Sequence, residues 1–112
     1  MSAASQTQTT SADLERLSAE GRRYELVGGE LQEMSPVGGM QGRGTIRLSS
    51  VANAYVIRRG LGEGFGAETG FRLARNPDTV LAPDWAFITK ERLPDPIPDG
   101  FIQMAPDLVL ET

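Results

Sequence analysis

Two acidic residues near the end of the chain stand where strands begin and end. In "TVLAPDWAFI", residues 79–88, Asp84 follows Pro83 and opens an apolar run. "APDLVLET", residues 105–112, repeats the Pro-Asp opening, passes through Leu108, Val109 and Leu110, and reaches Glu111. If a strand beginning at Asp84 pairs antiparallel with one ending at Glu111, the two carboxylates are neighbours, because directly opposed Cβ atoms lie about 5 Å apart. Anions that close repel unless a cation lies between them. Mg²⁺ or Mn²⁺ suits the role, since hard divalent ions take carboxylate oxygen at about 2.1 Å and keep waters for chemistry. Asp84 and Glu111 are therefore candidate metal ligands and catalytic residues. On spacing alone a second reading stays open, in which Asp84 caps a turn after Pro83 and Glu111 is merely exposed.

Composition limits what else could react. The chain has no Cys and no His, which removes disulfides, Cys/His zinc sites, thiol nucleophiles and Ser-His-Asp triads. Carboxylates, hydroxyls, Arg and Lys remain. A formal net charge of −4 argues against a free-standing nucleic-acid binder, although local arginine clustering could still give a footprint. With 112 residues there is room for one domain, which buries about two thirds of its unfolded surface. No apolar run approaches the roughly 18 residues of a membrane span, and no signal-peptide pattern opens the chain, so a cytoplasmic protein is expected.

The elements that must position the carboxylates can be read from period and punctuation. "MSAASQTQTTS", residues 1–11, has no branched aliphatic or aromatic residue and reads as a disordered leader, leaving residues 12–112 as the domain. Ser11 with Asp13 is placed to cap a short helix carrying Leu14 and Leu17, which Gly21 ends. "RYELVGGELQEM" alternates about Gly28-Gly29, predicting a hairpin in which Leu26 faces Leu31 with Tyr24 on the same face. "SPVGGMQGRG" is loop. From Gly42 to Arg59 the period is helical, with Leu48, Val51, Ala52 and Tyr55 expected to face the core and Gly60 to end the helix. Gly62 to Arg75 reads as a strand after a glycine-rich lead-in, with Phe71 and Leu73 alternating. "NPDT" is a turn, and Val80 to Ile88 forms the next strand, where Pro83 marks an edge, a bulge or a start. "ERLPDPIPDG" is loop, and Asp107 to Thr112 is a last strand.

Three further patterns have definite readings. Gly62-Glu-Gly64-Phe-Gly66-Ala67 fits G-x-G-x-x-A but follows a helix and enters a strand, the reverse of the dinucleotide context. Gly39 to Thr45 lacks the lysine of a phosphate-binding loop. Arg43, Arg47 and Arg58 fall within about 60° of one another on a helical wheel. That edge is either a solvated flank or a phosphate-binding surface.

Taken together, "RYELVGGELQEMSPVGG", the helix, "GLGEGFGAETGFRLARNPDTVLAPDWAFITKERLP" and "APDLVLE" resemble the putative restriction endonuclease family of cyanobacteria and other bacteria, within the PD-(D/E)XK nuclease superfamily. The resemblance implies an α/β (α+β) fold with a restriction-endonuclease-like mixed sheet and a flanking helix. It makes Asp84 the Asp of the "PD" element and Glu111 the acidic residue of (D/E)XK, both ligands of Mg²⁺ or Mn²⁺, in an enzyme that hydrolyses DNA phosphodiesters. Arg43, Arg47 and Arg58 then become candidate DNA contacts. Departures carry equal weight. In the family the strand ending in Glu runs on into a Ser-Pro-rich turn, a helix with a basic residue and a further strand, whereas here the C-terminal helix and strand are missing and catalysis is expected to need a complementing C-terminal segment. The family often has His where this chain has Gln41, and the only lysine, Lys90, is about 20 Å from Asp84 along an extended strand. The alternative is a non-catalytic remnant or interaction module that pairs through its C-terminal strand. An unpartnered strand there also predicts a homodimer.

Overall fold

The structure, a computed structural model, describes residues 8–112. Most of the expected disordered leader therefore lies outside the described residues. At its end Thr9 donates its N–H to Gly29 O (3.0 Å). Helix α1 spans Ser11–Ala19, and its cap is Thr10 rather than Ser11. Thr10 Oγ1 accepts the Asp13 N–H (3.2 Å) while Asp13 Oδ2 accepts the Thr10 N–H (3.0 Å), so two otherwise orphaned donors are satisfied reciprocally. Ser11 is instead buried, with its N–H donated to Asp78 Oδ2 (2.8 Å).

Strands β1 (Tyr24–Val27) and β2 (Glu30–Glu33) form the expected hairpin, with Leu26 opposite Leu31. Gly28 (φ 56°) and Gly29 (φ 82°) supply the two positive φ angles that such a tight turn needs. Helix α2 runs from Gly39 to Arg59 and ends at Gly60 in the left-handed conformation. The segment read as one strand from Gly62 to Arg75 is two, β3 (Gly62–Phe65) and β4 (Phe71–Ala74). The run from Val80 to Ile88 also divides, into β5 (Thr79–Leu81) and β6 (Trp85–Thr89), and β7 spans Leu108–Leu110. Alternation is local and does not reveal when a chain changes sheets.

The fold is α+β, with two antiparallel sheets ordered β2-β1-β5-β4 and β3-β6-β7. Leu14, Leu26 and Val80 pack α1 against the first sheet, and Phe71, Ala86, Ile88 and Ile102 form a second cluster beneath β6. The largest correction concerns α2. Leu48, Val51 and Tyr55, expected in the core, are 54%, 73% and 48% exposed, and the one buried side chain of the helix is Val56. The inward line is instead Thr45, Ser49, Asn53 and Val56, polar but for its last member. A 3.6-residue period shows that an apolar stripe exists; it does not show that the rest of the domain is wide enough to cover it. Among the described residues no helix is long and apolar enough to cross a membrane.

Candidate functional site

Pro83 stands where the chain leaves one sheet for the other. It is buried, and it supplies no N–H to either ladder. Strand β6 then pairs with β7, Trp85 opposite Leu110, so one step further Asp84 stands opposite Glu111. The ladder ends there and side chains take over from it. Asp84 N–H donates to Glu111 Oε1 (3.0 Å), and Thr112 N–H donates to Asp84 Oδ2 (2.9 Å). Each carboxylate is anchored by one oxygen. Among the described residues no hydrogen bond reaches Asp84 Oδ1 or Glu111 Oε2.

Helix α2 reaches the same corner. Thr112 Oγ1 donates to Asp84 Oδ2 (2.9 Å) and lies 2.6 Å from Thr45 Oγ1, and Gln41 Nε2 donates to Thr112 O (3.1 Å). Further along, Asn53 Oδ1 accepts Trp85 Nε1–H (3.2 Å), which holds α2 over β6. Gly64 permits that contact, because a Cβ there would lie 1.9 Å from Asn53 Oδ1. Gln41 and Thr45 thus reach Thr112, which bonds Asp84, although neither was a candidate on residue type. The one signal was that Gln41 occupies a position where the resembling family often has His.

The arginines are placed differently. Arg43, Arg47 and Arg58 are exposed, and the helical period sets Arg43 and Arg47 about 160° from Thr45, on the solvent side of α2. They line the helix edge as the wheel requires but point away from the carboxylate pair. Lys90 is exposed at the far end of β6, where its N–H donates to Leu61 O (2.9 Å).

Asp107, which like Asp84 follows a proline and precedes a strand, has structural partners. Its Oδ2 accepts the Thr89 N–H (2.8 Å) and its Oδ1 pairs with Arg92 (2.6 Å). The Thr89 amide, and then Arg92, lower its pKa below the usual carboxylate value. The Pro-Asp pairs that precede β6 and β7 therefore carry carboxylates with different duties.

Among the described residues no group of three or more His, Cys, Asp or Glu side chains is placed to enclose a metal ion. Asp84 and Glu111 together could offer an ion a pair of donors. That fits Mg²⁺, which keeps several waters and binds through one or two carboxylates, better than it fits a cation needing an all-protein cage. A sequence model of the family described as Uma2, putative restriction endonuclease, matches residues 11–112. No curated protein matches the chain.

Proposed function

The chain belongs to the Uma2 family of putative restriction endonucleases, and from that membership we propose that it is a divalent-metal-dependent endonuclease domain acting on DNA. Restriction-endonuclease-like nucleases generally use divalent metals. The observation that carries the reading is the reciprocal anchoring of Asp84 and Glu111 at the end of the β6–β7 ladder. Each side chain is oriented by a backbone donor, and the other oxygen of each would hold Mg²⁺ or Mn²⁺. When bound, such an ion polarises a phosphoryl oxygen and lowers the pKa of its water. The protein's own part is to place those oxygens and to brace Asp84 through Thr112 and Thr45. Arg43, Arg47 and Arg58, exposed on the outer side of α2, would meet phosphates only of DNA that also passes over that side of the helix, away from the carboxylate pair. No lysine stands near the pair in this chain, so a complementing segment is the expected source of the positive group that completes the reaction.

The test is nicking of supercoiled plasmid in Mg²⁺ and in EDTA, by the chain alone and with a lysine-bearing C-terminal segment supplied. Metal-dependent nicking that Asp84→Ala abolishes is the expected result. Nicking that survives Asp84→Ala overturns the assignment, as does none under either condition.

A second reading has its own observation. Strand β7 is an edge of its sheet, with Leu108 58% and Val109 47% exposed. Such an edge can accept another strand, from a second copy or from a separate segment. Association without nicking would favour this interaction role.

A further inference from the structure

We propose that Glu25 is a positioning residue for the Asp84–Glu111 pair, holding in place the short segment that carries Asp84 from one sheet to the other. The inference rests on the nuclease reading for its consequence, though its geometry stands apart from it. Strand β5 ends at Leu81 in one sheet and β6 begins at Trp85 in the other, so Ala82, Pro83 and Asp84 make the whole crossing. Leu26 pairs with Val80, and an extended ladder would set Tyr24 opposite Ala82. The ladder stops short of that, and Ala82 N–H donates to the side chain of Glu25, Oε2, at 2.7 Å.

The crossing has two N–H groups, because Pro83 has none. Both are taken by carboxylates, Ala82's by Glu25 from the first sheet and Asp84's by Glu111 from the second. Glu25 and Glu111 also line one cavity of about 180 Å³, with Phe71, Leu81, Pro83 and Val109 giving it an apolar wall. In such surroundings a backbone amide left without an acceptor is costly, so the oxygen that Glu25 offers Ala82 is what holds the crossing. Glu25 is half-buried and fixes the point at which the chain peels away. The rigid φ of Pro83 then passes that placement to Asp84. Placement matters here because a site functions only when held within about 0.5 Å of its productive geometry.

The experiment compares Glu25→Gln, Glu25→Ala and Glu25→Asp with wild type. Mn²⁺ affinity is read by calorimetry, Mg²⁺-dependent nicking by its rate and substrate dependence, and protection of the Ala82 and Asp84 amides by hydrogen exchange. Gln keeps an oxygen acceptor at the same reach and should preserve affinity and Asp84 protection. Ala removes the acceptor, and Asp keeps the charge but withdraws it by one methylene. Both should weaken Mn²⁺ binding by about tenfold or more and lower kcat with little change in KM, as loss of an orienting partner does. If Glu25→Ala does not fold, Glu25→Asp decides the matter. Wild-type affinity and Asp84 protection in Glu25→Ala or Glu25→Asp overturn the proposal. So does a Glu25→Gln as impaired as Ala, since charge rather than hydrogen bonding would then be what counts. Failure of wild type itself to bind Mn²⁺ or nick defeats the nuclease reading alone, and the positioning role is then settled by Asp84 protection, which must fall in Glu25→Ala and survive in Glu25→Gln.

Discussion

The carboxylates of this protein differ in what their surroundings ask of them. Asp84 and Glu111 hold one another's strand end through single oxygens, whereas Asp78 is engaged through both. Its Oδ2 accepts the Ser11 N–H (2.8 Å) and its Oδ1 accepts from Arg72 (3.0 Å) and the Asn76 N–H (3.3 Å). The Ser11 amide first, and then Arg72, hold its pKa below the usual carboxylate value, against a desolvation effect that would raise it. A lowered folded-state pKa means that the stabilisation is present above the unfolded value of about 3.9 and is lost as pH falls through the folded one. Asp78→Asn should therefore cost about 1.5 to 3 kcal/mol near neutral pH, the range for hydrogen bonds to a charged group. Urea unfolding should show that gap closing as the buffer is taken below the folded pKa of Asp78. A gap independent of pH would mean that charge has no part in the clamp. At the carboxylate pair, Asp84→Asn should weaken Mn²⁺ binding in calorimetry by tenfold or more while leaving the fold intact.

At the scale of elements, α2 is the instructive case. It touches the second sheet along a narrow, mostly polar line, with Asn53 bonded to Trp85 and Val56 buried. Its apolar stripe faces outward. Val51→Ser should therefore change stability by no more than about 0.5 kcal/mol, as for ordinary surface positions. Val56→Ala should cost about 2 kcal/mol from the buried methyl groups it deletes. Thermal unfolding of the two variants distinguishes this packing from one with the stripe inside, which requires the opposite order. The same helix carries four of the eleven basic residues and none of the fifteen acidic ones. If Arg43 and Arg47 contact phosphate, replacing either by Ala should reduce the slope of log K against log salt by about 1. DNA binding measured across salt concentrations gives that slope, and an unchanged value would return the arginine edge to a solvated flank.

For the molecule as a whole, two modest cores leave apolar surface on β7 and on α2. Leu108 is the most exposed residue of the β7 edge, so a homodimer joined there should be weakened by Leu108→Lys, and sedimentation that finds only monomer at high micromolar concentration would remove that interface. Short-range features could be read from the residues alone: the Gly28-Gly29 hairpin and its Leu26–Leu31 register, the helix ending at Gly60, the break at Pro83, and the chemistry left to a chain without Cys or His. Turns, caps and punctuation depend on a few adjacent residues, and so could be read. Even there a neighbour could intervene, for Thr10 caps α1 once Ser11 is drawn to Asp78, sixty-seven residues away. The meeting of Asp84 and Glu111 was legible only on the assumption that their strands pair. Folding in three dimensions was needed to show that β5 and β6 belong to different sheets, that Gln41 and Thr45 reach Thr112 and Glu25 reaches Ala82, and that the stripe of α2 looks outward. Each of these depends on which distant surface is available to pack or to bond, and no local period carries that information.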